Sequence, residues 1–367
     1  MAGGRAAWAR VRASRDGAYS SPLPHRTNLS TRTRRRPAAP AAGACRPRAP
    51  SRARTLPGVH TAERQSLGHV AGIVLAGETV RATFAPSAGM IGSSLMHRGD
   101  ELLVQRGGLD AWRGTGRSFG LPLLHPWANR LRDWRYAAAG RAVEIRRDGI
   151  VRADENGLPI HGALAAAEDW DVTDCGADED RAWMTAALDY GRRDDRLAVF
   201  PYPHRLDLEL GLADATLSIS VALTATGETE VPLAFGWHPW LMLPGVPRAE
   251  WELGLPDRER IALDDRGLPT GERTAQPAER APLGDRVLDD HFEVAEDARF
   301  TLAGGGREIA AEWTGGYRFA QVFAPATLDT VCLEPMMAPV AALSTGDELP
   351  LLAPGATATA GFRITVS

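Results

Sequence analysis

Two neighbouring segments, 205–212 (RLDLELGL) and 216–227 (TLSISVALTATG), alternate apolar with polar or small residues almost without interruption. Leu206, Leu208, Leu210 and Leu212 share one side of the first segment. Leu217, Ile219, Val221 and Leu223 share one side of the second, and Ala213-Asp214 supplies a turn between them. A period of two is that of a strand with one buried face, and two such strands joined by a short turn form a hairpin. Shorter runs at 79–84, 142–145, 319–323, 330–333 and 361–366 have the same character. Helical periods are scarce, because 38 glycines and 26 prolines interrupt most long windows. Many strands at short spacing, without alternating helices, predict an all-β fold, a large antiparallel β-sandwich.

That texture begins only after about residue 65, so residues 65–367 are expected to form one domain. Residues 1–54 hold thirteen arginines against one acid, Asp16, a formal charge of +12. With the whole chain at −4, the remainder carries −16, a poor surface for nucleic acid. Residues 1–64 therefore read as a disordered arginine-rich extension, or as the product of a start codon placed too far upstream. Their composition also resembles a transit peptide, and they lack the apolar stretch of a secretory signal. No run of 18 apolar residues is present, so no membrane span is expected. The cysteines Cys45, Cys175 and Cys332 form no CxxC motif, which suits a reducing cytoplasm.

Chemistry-bearing residues recur in short motifs. In VPLAFGWHPW, Leu233, Phe235 and Trp237 point one way, leaving Ala234, Gly236 and His238 on a face of small side chains with room for a ligand. In TVCLEP, Val331 and Leu333 face the core and Glu334 faces away. LPIHG sets His161 before Gly162, where a backbone can approach closely. HPWANRL carries Asn129, a donor and acceptor, and Arg130, whose planar fork suits vicinal hydroxyls. Trp127, Trp237 and Trp240 neighbour these polar residues and offer ring faces for sugar C–H groups, Trp237 being the one selected for sugar contact. In LDDHF either Asp289 or Asp290 can accept hydroxyl hydrogen bonds. Each has a plainer reading as core, capping turn or solvated charge.

HPWANR, LPIHG, FPYPH, GWHPW, LDDHF and CLEP, in this order, resemble the aldose 1-epimerase (galactose mutarotase-like) family over about residues 70–367. The resemblance implies a β-sandwich whose concave sheet holds a sugar. It implies Glu334 as base at the anomeric hydroxyl, His238 as acid at the ring oxygen, and His161 as a second histidine beside that oxygen. Arg130, with Asn129, is implied to bind hydroxyls. Asp289 is the preferred acidic ligand because it stands three residues before Phe292. No cofactor and no metal are expected. The expected partner is a small-molecule sugar, with no nucleic acid and no membrane, for a monomer or homodimer in the cytoplasm.

The pattern departs from galactose mutarotases in HPWLMLPG, which replaces a phenylalanine-asparagine pair, and in HPWANR itself. A sugar phosphate would need cations at the rim, for which Arg132 and Arg135 are the candidates. A silent sugar-binding module would keep Arg130 and the tryptophans without needing Glu334 and His238 together. A metal hydrolase would use His161, His238 and Glu334 as ligands, which lack HExxH or HxH spacing. A glycosidase would need a second acid in a strong motif.

Overall fold

The computed structural model describes residues 59–165 and 167–367. Among the described residues strand accounts for 52% and helix for 9%, which makes the fold all-β. The predicted hairpin forms as strands His204–Ala213 and Thr216–Ala225, paired leucine to apolar residue along its length, with Asp214 at φ 49° in the turn. It lies within a nine-stranded antiparallel sheet that also contains Ala182–Asp189, Thr357–Val366, Arg307–Gly315 and Arg299–Gly304.

A second antiparallel sheet has eight strands, among them Leu288–Val294, Phe319–Ala324, Val331–Met336, Gly236–Trp237 and Leu123–Leu124. One face of each sheet meets the other in a common core. Val322, Val331 and Leu333 of the smaller sheet share it with Leu208, Val221, Phe362 and Ile364 of the larger. Trp237 spans the layers, its ring 5.8 Å from that of Phe362. This is the expected sandwich, and the pleat of the smaller sheet leaves its second face free to build a site.

The VPLAFGWHPW segment is not one continuous strand. It breaks into Val231–Pro232, Gly236–Trp237 and Trp240–Leu241, because Pro232 and Pro239 cannot donate to a ladder. Leu233, Phe235 and Trp237 nevertheless all enter the core.

A five-stranded meander starts with Thr61–Leu67, which pairs residue for residue with Val70–Ala76. Strand pairing thus begins four residues before the expected body. Among the described residues no helix is long and apolar enough to cross a membrane.

Three motif histidines are structural. His125 and His204 meet through their Nε2 atoms at 2.7 Å, wholly buried, and His204 Nδ1 donates to the Tyr202 carbonyl at 2.6 Å. His204 Nε2 must then accept, so His125 donates its Nε2 proton. His291, also buried, accepts the Val340 N–H at Nε2 over 3.2 Å. Burial lowers all three, His204 and His291 to about 4 and His125 well below its usual value.

Two outcomes follow from this packing. A chain starting at Val59 is expected to melt with the full-length protein, whereas one starting at Gly68 loses the Thr61–Leu67 strand and melts a few degrees lower in circular dichroism. His291, neutral when folded, takes up a proton on unfolding between about pH 6.5 and 4. It therefore lowers stability as pH falls through that window, by about 1.4 kcal/mol per pH unit. His291→Gln should flatten the dependence of urea stability on pH by roughly that slope, and an unaltered slope would contradict the assignment.

Candidate active site

The outer face of the smaller sheet supplies the floor. Strands Leu288–Val294, Phe319–Ala324 and Val331–Met336 pair so that Gln321 lies opposite both His291 and Glu334. With Val331 and Leu333 in the core, the pleat turns Cys332 and Glu334 outward. Gln321 donates its amide to Asp289 Oδ1 at 2.6 Å. Asp290 points elsewhere and is paired with Arg260 at 2.9 Å, so Asp289 is the one of the two that reaches the site.

His238 follows the Gly236–Trp237 bridge and donates its backbone N–H to the Pro122 carbonyl at 3.1 Å. Trp240 stacks on its ring at 4.6 Å and 6°. His238 Nε2 then stands 3.4 Å from Glu334 Oε1, with side-chain exposures of only 7% and 2%. Neither His238 Nδ1 nor Glu334 Oε2 has a hydrogen-bond partner. Polar atoms buried without partners are uncommon and costly, and they cluster where a ligand completes the set.

Two loops wall the site and lock each other. Asn129 donates its backbone N–H to His161 Nδ1 at 3.2 Å, and His161 donates its own to the Asn129 carbonyl at 3.0 Å. Both residues hold left-handed backbones, φ 56° and 63°, which is strain typical of functional positions. Next to them Gly162, at φ 70°, packs so closely that a Cβ would lie 2.2 Å from the His125 carbonyl oxygen. No other residue fits there. Since His161 Nδ1 accepts, its proton sits on Nε2, free for a ligand, while the ring meets His238 edge-on at 5.4 Å.

Arg130 is clamped. Its Nε donates to Asp154 at 2.6 Å, Nη2 to Glu155 at 3.0 Å, and Nη1 to Asn129 Oδ1 at 3.2 Å. One N–H on each terminal nitrogen remains. Asp154 in turn accepts the Asn156 and Leu158 amides, so a capping turn fixes the guanidinium.

Asn129, Arg130, His161, His238, Asp289 and Glu334 thus line one cavity of about 210 Å³. Trp237 does not line it; wholly buried in the core, it cannot touch a sugar, and Trp240 takes the position beside His238. Trp127 is likewise buried among core residues. Trp240, Gln321, Arg106 and Arg152 also face the cavity. Of these Trp240 is signalled in the sequence by its place beside His238, and Gln321 as the polar member of the alternating FAQVF; Arg106 and Arg152 have no such signal. Arg132 and Arg135 lie elsewhere, the latter paired with Glu144 at 3.0 Å on an exposed hairpin.

Burial dominates the electrostatics. It raises Glu334 well above the usual carboxyl range, with Asp289 adding to the effect and Arg130 opposing it. It lowers His238 to about 3, helped by the Arg106 cation, and lowers His161 well below its ordinary value. Asp289 is raised by burial against the pull of Arg130. Of this pair it is therefore the carboxyl, not the imidazole, that binds the first proton. A soft divalent ion would find a different donor set, since His238, Cys332 and Glu334 present ligand atoms within 4.8 Å of one another.

Comparison with known proteins agrees with this architecture. A galactose mutarotase-like protein of Clostridium acetobutylicum superposes with a TM-score of 0.73 at 16% identity, covering 83% of this chain and 98% of its own. A galactose 1-epimerase from Lactobacillus acidophilus NCFM gives 0.65 at 13% identity, covering 84% and 97%. The uncharacterized protein YihR of Escherichia coli K12 is 24% identical over 252 residues, 64% of this chain and 77% of that protein. The aldose 1-epimerase family model matches residues 77–365. The chain belongs to the aldose 1-epimerase family.

Proposed function

We propose that the protein is a mutarotase that interconverts the α and β anomers of an aldopyranose, with Glu334 and His238 as its proton-transferring pair. The observation that carries this reading is their 3.4 Å contact, buried on the floor of a cavity sized for one sugar ring. Anomer exchange asks for removal of the O1 proton and delivery of one to O5. A carboxyl and an imidazole that share a single proton supply both functions.

With the shared proton moved to His238, Glu334 takes the O1 proton while C1 and O1 form a carbonyl. The C1–O5 bond breaks, and O5 receives the proton of His238. Rotation about C1–C2 and the reverse transfers close the ring on its other face. His161, held as its Nε2–H tautomer, donates towards O5. Arg130 offers its two remaining N–H groups and Asp289 an acceptor to the ring hydroxyls. The chemistry calls on no cofactor, and a cytoplasmic setting remains the expectation from the sequence.

Glu334→Gln and His238→Asn should each lower kcat by roughly 10²-fold or more with little change in KM, since the lost contribution belongs to the transition state. Mutarotation of freshly dissolved α-anomers, corrected for the spontaneous rate, is the measurement. Near-wild-type kcat in Glu334→Gln overturns the assignment, and an inactive wild type that still binds sugar favours the silent module. The wild-type rate should fall on the acid side as His238, at about 3, takes a second proton, and on the basic side as the Glu334 carboxyl, held above its usual range by burial, loses the shared one. Arg130→Lys should raise KM about tenfold or more, because one ammonium cannot satisfy Asp154, Glu155 and the sugar together. Full activity in that variant would remove Arg130 from the hydroxyl-binding set.

A further inference from the structure

At the His238 end of the cavity, cations gather without direct ion pairs. Arg106 lies with its guanidinium carbon 4.3 Å over the Trp240 ring, the same ring that stacks on His238. Arg106 Nη1 donates to the Ser118 carbonyl at 3.2 Å, and Arg152 Nη1 to the Gly116 carbonyl at 3.1 Å. Arg117 lies between those two carbonyls in sequence. Arg106 and Arg152 both line the cavity, half-buried. Among the described residues none of the three arginines has a carboxylate within 4.0 Å. Arg130, across the same cavity, has two.

Partly desolvated like charges repel, and a protein gains nothing in stability by collecting them unpaired. Burial lowers Arg106, with repulsion from Arg117 adding to it; burial lowers Arg152 as well, with Glu155 opposing the effect and Arg117 adding to it. Most N–H donors of the two lining guanidiniums remain unused. Such a cluster is matched by an oxyanion, which accepts several charge-assisted hydrogen bonds at once.

The location specifies where that anion sits on a sugar. If His238 serves O5, the carbon beyond O5 and away from C1 is C5, which carries the exocyclic C6. Arg106 and Arg152 lie on that side. A second cavity of about 450 Å³ shares Ser118, Arg152 and His161 with the first and gives a C6 substituent room. We infer that the substrate is an aldopyranose bearing an anionic group, a phosphate, sulfate or carboxylate, on the exocyclic carbon, bound by Arg106 and Arg152. This inference rests on the mutarotase reading for its orientation, but the anion site has its own test.

The full-length protein is assayed by two-dimensional NMR exchange between anomers of D-glucose, D-glucose 6-phosphate, D-glucose 6-sulfate and D-glucuronate. At least one anionic sugar should exceed glucose in kcat/KM by roughly 10²-fold, and the best of them identifies the anion. Arg152→Ala and Arg106→Ala should cut kcat/KM for that sugar about 10- to 100-fold further than for glucose, with Arg152→Lys recovering part. Glucose handled as well as every anionic sugar, or an equal loss for charged and neutral sugars in both variants, overturns the inference. Calorimetric binding of D-glucose 6-phosphate and D-glucose to Glu334→Gln separates the two readings. Salt-sensitive preference for the phosphate that vanishes in Arg152→Ala upholds the anion site even if no anomer exchange is catalysed. Turnover of neutral sugars alone, with no such preference, upholds the mutarotase and removes the anion site.

Discussion

The pleat of one strand governs the site. Val331 and Leu333 are drawn into the core between the sheets, and a period of two then leaves Glu334 no choice but the opposite face. A register slip by one residue would put the carboxyl in the core shared with Leu208, Val221 and Phe362 and a leucine under the cavity. The apolar effect that assembles the sandwich is therefore also what aims Glu334. Gln321 and Asp289 follow from the same pairing, because neighbouring strands must present matching faces.

What the strands cannot do alone, the two loops complete. Asn129 and His161 each accept a strained backbone so that they can exchange hydrogen bonds, and Gly162 lets the loops close to within van der Waals contact. Strain of this kind persists where surrounding structure over-determines it. The reward is a histidine of defined tautomer and an arginine whose fork has only two donors still to give.

Strand-borne features were legible in the sequence because alternation is a local code. The hairpin at 204–225, the core row of Leu233, Phe235 and Trp237, and the outward Glu334 all follow from counting by two. The same count argued against Trp237 as a sugar platform, since its neighbours Leu233 and Phe235 are core; its place beside His238 in sequence misled, and Trp240 faces the cavity instead. Choosing Asp289 over Asp290 needed the register of three strands, although the preference drawn from the family resemblance agrees with the face it occupies. Arg106, Arg152 and Asp154 left no trace, because each comes from a loop or short bridge whose position depends on contacts far along the chain. Arg132 and Arg135, nearer in sequence to the HPWANR motif, lie outside the cavity, which shows how little proximity in sequence says in a fold made of long-range pairings.

Under the proposed mechanism, the single proton shared by Glu334 and His238 has a consequence for how the molecule would meet its surroundings. A pair that gives one proton and receives another within each ring opening returns to its starting state at ring closure. Nothing is borrowed from or released to bulk water. Such a site is a closed circuit, indifferent to buffer strength, whereas the uncatalysed reaction depends on whatever acids and bases the solution provides.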